Sequence, residues 1–198
     1  VAIRFASTAT VKNKLPRTSN FWNGTTPQPV PLDNGVMFPL GMVQVGSAGA
    51  ASITFSSIPS TYKHLQIRGI SKNSAAGTDS NITINSGTAA AYRHQLLGDG
   101  SGINASANSG NAYIILTAGS SGTSIFDASV VDFLDYSSTT KNKVVRVLSG
   151  RDLNGSGLLN LGSALWTTTS AINEITITSG GTSFVQYTQF ALYGIKGA

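Results

Sequence analysis

The sequence predicts an all-β protein: an antiparallel two-sheet sandwich, jelly-roll-like, with an extended N-terminal arm. Three observations predict it. From Phe38 onward, short runs alternate apolar and polar residues and are broken by Gly, Ser and Asn at intervals of roughly 10–15 residues, the pattern of short antiparallel strands. No stretch holds a helical period over a dozen residues. The first 38 residues differ in kind from the rest. They contain Pro16, Pro27, Pro29 and Pro31, and four bases (Arg4, Lys12, Lys14, Arg17) against one acid (Asp33), so they carry +3 of the chain's formal +5.

In chain order, Val1, Ile3 and Phe5 alternate as one face of a short strand would. A polar, basic stretch to Asn20 leads to Phe21 and Trp22, followed by the proline-rich segment. Prolines lack a backbone donor and suit neither helix nor central strand, so residues 1–38 are expected to run extended and to anchor through Phe21 and Trp22. A tail with a folded-back Trp is the competing reading. In residues 39–198, strands are expected near 40–46, 51–56, 63–71, 80–85, 91–97, 111–117, 124–135, 142–149, 157–162, 172–178 and 185–195. The turns between them are rich in Gly, Ser and Asn, SSIPS and GDGSG among them. Short helical turns fit only at Ala89–Tyr92 or Leu165–Thr168. In HLQIRG, Leu65 and Ile67 take one face, while His64, Gln66 and Arg68, with Tyr62, take the other. In AINEITITSG, Ile175 and Ile177 oppose Glu174, Thr176 and Thr178. No fixed repeat favours a propeller or a β-helix.

Composition narrows the chemistry. Only 11% of residues are charged, so the surface is covered largely by Ser, Thr, Asn, Gln and Gly, as in secreted, viral or fibrous β proteins. Little charge is left to keep subunits apart, and a homotrimer is expected. There is no cysteine, which removes disulfides, thiol catalysis and thiolate metal sites. No apolar run reaches the ~20 residues of a membrane helix, nor does the N-terminus read as a signal peptide, so a protein made in the cytoplasm is expected, with no membrane partner.

Catalytic, cofactor-binding and metal-ligating residues are expected to be none. No G-x-S-x-G is present, and the two histidines, His64 and His94, fall on separate strands without zinc-site spacing. Asp127, Asp132 and Asp135 form the one dense acid cluster, but Asp132 takes the opposite parity from the other two, so they do not converge as a glycosidase pair must. Asp132 is placed on the core parity and paired with Arg146 or Arg151. GDGSG supplies one carboxylate, too few for calcium. The Asn-x-Ser/Thr sequences at Asn23, Asn81, Asn104 and Asn154 are what chance gives in such a composition. Lys12, Lys14 and Arg17 suit phosphate contact, yet basic residues do not interleave with aromatics along the strands, and nucleic acid is not an expected partner. For a host-surface glycan, Tyr113 and Trp166 are the candidates for stacking on sugar rings. Packing in the core or at its rim is their competing role.

The block ITFSSIPSTYKHLQIRGISKNS from Ile53, then AYRHQLLGDG, then QYTQFALYGIKG near the end, resembles a domain common in virion proteins of tailed bacteriophages. The resemblance rests on Ile58–Arg68, Tyr92–Gly98, the stretch DYSSTTKNK from Asp135 to Lys143, Trp166 and the closing Leu192–Ile195, and spans about residues 43–197. It implies a non-enzymatic structural protein of the virion, a surface-exposed decoration, cement or fibre subunit. The arm, with Arg4, Phe5, Lys12, Lys14, Arg17, Phe21 and Trp22, would dock it onto other capsid or tail proteins. The alternative it leaves open is a receptor-binding tail-fibre module that recognises host glycan.

Overall fold

The computed structural model describes residues 36–75, 79–87, 91–98, 102–108, 114–116, 124–153 and 156–197. The expectations placed on Arg4, Phe5, Lys12, Lys14, Arg17, Phe21, Trp22 and Tyr113 fall outside these residues. Met37–Ala198 is one compact unit.

The described residues are all-β, in twelve strands: β1 (Met37–Gln44), β2 (Ser52–Phe55), β3 (His64–Ser71), β4 (Ser80–Ile84), β5 (Ala91–Gly98), β6 (Ile103–Asn108), β7 (Ile114–Leu116), β8 (Asp127–Phe133), β9 (Lys143–Asp152), β10 (Gly157–Trp166), β11 (Ile175–Thr178) and β12 (Gln189–Ile195). Eight form one sheet in the order β1-β12-β3-β8-β9-β10-β5-β6, and four form the second in the order β2-β11-β4-β7. Every pairing is antiparallel.

Strand alternation builds the core between the sheets. Leu65 and Ile67 of β3, Val131 and Phe133 of β8, Val145 and Val147 of β9, and Phe190 and Leu192 of β12 face Ile53 and Phe55 of β2, Ile82 and Ile84 of β4, and Ile175 and Ile177 of β11 in one apolar cluster. Burying each such side chain stabilises by roughly 1.5–3 kcal/mol, which is what fixes the register of every strand. Two glycines let aromatic rings close on the large sheet. A methyl at Gly69 would collide with the Phe190 ring, and one at Gly194 would lie 2.5 Å from the Tyr62 ring.

Three expectations are corrected. No strand is expected between 97 and 111, yet β6 forms there. Its sequence, INASAN, has only one β-branched residue, Ile103, among small and polar ones, and it forms by pairing along β5 at the sheet edge. β10 does not turn at Leu165 but runs to Trp166, held on both sides by β9 and β5. On β8 it is Asp127, not Asp132, that points into the core, where it pairs with Arg151 at 3.1 Å. Asp132 lies on the outward face, 3.7 Å from Arg146. Both parities of ASVVDF carry a valine, so the strand alone does not say which faces inward.

Candidate functional site

Two places gather the residues that the sequence singles out. The first is the contact between the turn before β3 and the turn joining β8 to β9. Asp135 sits there at φ 49°, a left-handed conformation that Asp tolerates better than most residues. Its backbone N–H donates to His64 Nδ1 at 3.0 Å. Its carboxylate holds Lys63 at 2.7 Å and Lys141 at 2.9 Å. The hydrogen bond from Lys63, then that from Lys141, lowers its pKa to about 2. Next to it, Tyr136 is fully buried and its hydroxyl donates to the Pro59 carbonyl. Ser137 Oγ donates to the Tyr62 carbonyl at 3.3 Å. Ser138 Oγ accepts from the N–H groups of Thr140 and Lys141, each at 3.2 Å.

Lys143 closes this turn. Its side chain is buried. Nζ donates to the carbonyls of Ser138, Lys141 (2.9 Å) and Thr169 (2.6 Å), and lies 5.7 Å from the centre of the Trp166 ring. All three ammonium donors are thus used, which is how a buried cation is tolerated. Burial pulls its pKa below the usual lysine value. The Tyr62-Lys63-His64 group and the DYSSTTKNK stretch therefore meet as one hydrogen-bonded latch. Trp166, a candidate for sugar stacking, is 6% exposed and packs in the core. It offers no ring face to a sugar, because its strand register sets it beside Lys143. His94 lies opposite Ser163 in the register, a strand position in another part of the sheet from His64, which lies opposite Ile195.

The second place is the outward face of the eight-stranded sheet, where a groove of about 1000 Å³ runs across β12, β3, β8, β9 and β10. Register sets its side chains in rows. One row runs Ile70, Ala128, Gly150, Leu159, Gly98, Ile103. The next runs Arg68, Val130, Leu148, Leu161, Leu96, Ala105. Ile70, Leu148, Leu159, Leu161 and Leu96 keep 47% to 57% of their surface exposed, and Ile103 keeps 78%. The third row is polar. Gln66 Nε2 donates to Asp132 at 2.8 Å, Arg68 Nε donates to Gln66 at 2.8 Å, and the Arg68 guanidinium lies 5.9 Å from the centre of the Tyr193 ring.

Asp127 is inside the sandwich, Asp132 is on the outward face and Asp135 is in the latch, so the three carboxylates point to three different surroundings. Among the described residues, no group of three or more His, Asp or Glu side chains could hold a metal ion, and no helix is long and apolar enough to cross a membrane. Sequence reasoning missed Lys143 and the exposed leucines. The signal for the leucines was available: VVRVL and GLLNL are apolar on both parities. No known protein family matches the chain, and no curated protein or solved structure does.

Proposed function

We propose that this chain is a non-enzymatic structural protein of a tailed-bacteriophage virion, a surface decoration or fibre subunit assembled as a homotrimer and held to the particle through residues 1–38. The observation that carries the reading is the wiring of the strands. With β5–β6 and β9–β10 set aside, one sheet keeps β1-β12-β3-β8 and the other β2-β11-β4-β7. This order supports reading the fold as a jelly roll, in which a folded-over hairpin sends successive strands to alternate sheets, and viral capsid domains are among the users of that fold. Fold alone does not assign function. Two further features support the reading. The residues on which the resemblance rests, Tyr62, Tyr136, Lys143, Trp166 and Gly194, pack or bond to one another or to the core, as a scaffold's would. The basic segment before Pro39 supplies the charge for meeting an acidic neighbour.

Deleting residues 1–35 in the phage and quantifying the protein in purified particles tests the attachment. Loss of the protein from particles, with the same amount made in the cell, is the expected result. Unchanged occupancy rejects the arm as the anchor. A second reading, recognition of host glycan, is favoured by the groove, whose lining includes Tyr193, Arg68, Gln189 and Asp152. Retention of the purified chain on host polysaccharide, lost on Tyr193→Ala, would favour it.

A further inference from the structure

We propose that the outward face of the eight-stranded sheet is where copies of this chain associate, the Val130–Leu148–Leu161–Leu96 row of one copy lying against the Ile70–Ala128–Gly150–Leu159 row of the next, a head-to-tail contact that can close around a threefold axis. The inference deepens the trimer reading, and it takes only the number three from it.

Four observations lead there. First, the strand sequences of β8, β9 and β10 carry apolar residues on both parities, the pattern of strands covered on both faces. The four-stranded sheet covers one face, and among the described residues no strand covers the other. Second, the open face is large. Ile70, Leu96, Ile103, Leu148, Leu159 and Leu161 each keep 47% or more of their surface exposed, and six large apolar side chains exposed on one sheet face are the kind of contiguous patch that marks an association surface. Third, the relief suits another sheet. Ile70 and Leu159 stand on either side of Ala128 and Gly150 in one row, so knobs flank a hollow into which a facing leucine fits when sheets pack about 10 Å apart. Fourth, the bordering charges include both signs. Asp132 lies between Gln66 and Arg146, and the Arg146 side chain is 61% exposed, so a second copy can set its own Arg146 against this Asp132. A sugar would need polar groups across the centre of the face, where Val130, Leu148, Leu161 and Leu96 offer aliphatic side chains and Arg68 stands only at the row's end. A basic peptide would meet Arg68 and Arg146.

Sedimentation velocity of the full chain at micromolar concentration reads the outcome. The wild type is expected at three times the 20.4 kDa chain mass. Leu148→Glu combined with Leu161→Glu is expected to fall to the mass of one chain while keeping its circular dichroism spectrum, since both side chains point away from the core. If that variant does not fold, Leu159→Lys replaces it. Tyr187→Asn, an exposed residue outside the rows, is expected to leave the mass unchanged. A trimer unaffected by the folded face variants overturns this surface and leaves the trimer standing. A wild-type monomer overturns both. A monomer that floats with anionic vesicles or is retained on immobilised polysaccharide overturns the proposal in favour of a lipid or glycan occupant.

Discussion

Single residues in this molecule mostly serve fit. Gly194 shows it best: the Tyr62 ring occupies the space a β-carbon would take, and the same ring lies 5.5 Å from that of Phe38. Gly194→Ala is expected to destabilise by about 2–3 kcal/mol, the usual cost of overpacking, read as a lower midpoint in urea. Asp135 is the residue with a pH signature. Lys63 and Lys141 hold its pKa at about 2, against ~3.9 for a free aspartate. A lowered carboxylate pKa means stability that is fully present above about pH 4 and is lost as pH falls towards 2. Asp135→Asn keeps a residue that accepts a positive φ but removes the charge. It is expected to flatten the fall in urea midpoint between about pH 4 and pH 2, and an equally steep fall in the variant would show that another carboxylate is responsible. Periodicity made Leu65, Ile67, Ile175 and Ile177 legible as core. It did not reveal that Tyr62 would leave the strand face to cover Gly194, because a turn residue's destination depends on the strand it meets.

At the scale of elements, the turn between β8 and β9 does the most. It carries one buried cation satisfied by three carbonyls, so it is rigid without a regular structure of its own. Lys143→Met keeps the apolar stem and removes the donors. It leaves the carbonyls of Ser138, Lys141 and Thr169 without that partner and is expected to cost about 3 kcal/mol in thermal or urea unfolding. A loss well below that would mean water replaces the ammonium. Nothing in the sequence distinguishes this lysine from Lys141 two residues earlier, which is exposed. The difference comes from where β9 begins, since Lys143 is its first residue and Lys141 lies in the turn before it, and from Trp166, which is distant in sequence and pairs with Lys143 across β9 and β10. The strands themselves were legible wherever one parity was apolar and the other polar. β6 was not, since Asn, Ala and Ser mark turns as readily as an edge strand. The inward side of β8 was not, since Val130 and Val131 balance each other.

The described residues form a two-sheet sandwich with unequal sheets. The smaller sheet covers one face of the larger, and the strands added through β5–β6 and β9–β10 widen the larger sheet and its open face. With only 11% of its residues charged, the chain has few charges to oppose close contact between copies through such a face. The same account ties the sparse charge, the structural use of the Tyr62–His64 group and the apolar rows to one physical role, a building block on a particle surface. Electron cryomicroscopy of purified particles, with a tag at the C-terminus of this chain, tests that role most directly. The expected image has tags on the outer surface of the particle in groups of three. Particles that carry no tag, while the tagged chain remains in the cell lysate, would contradict it.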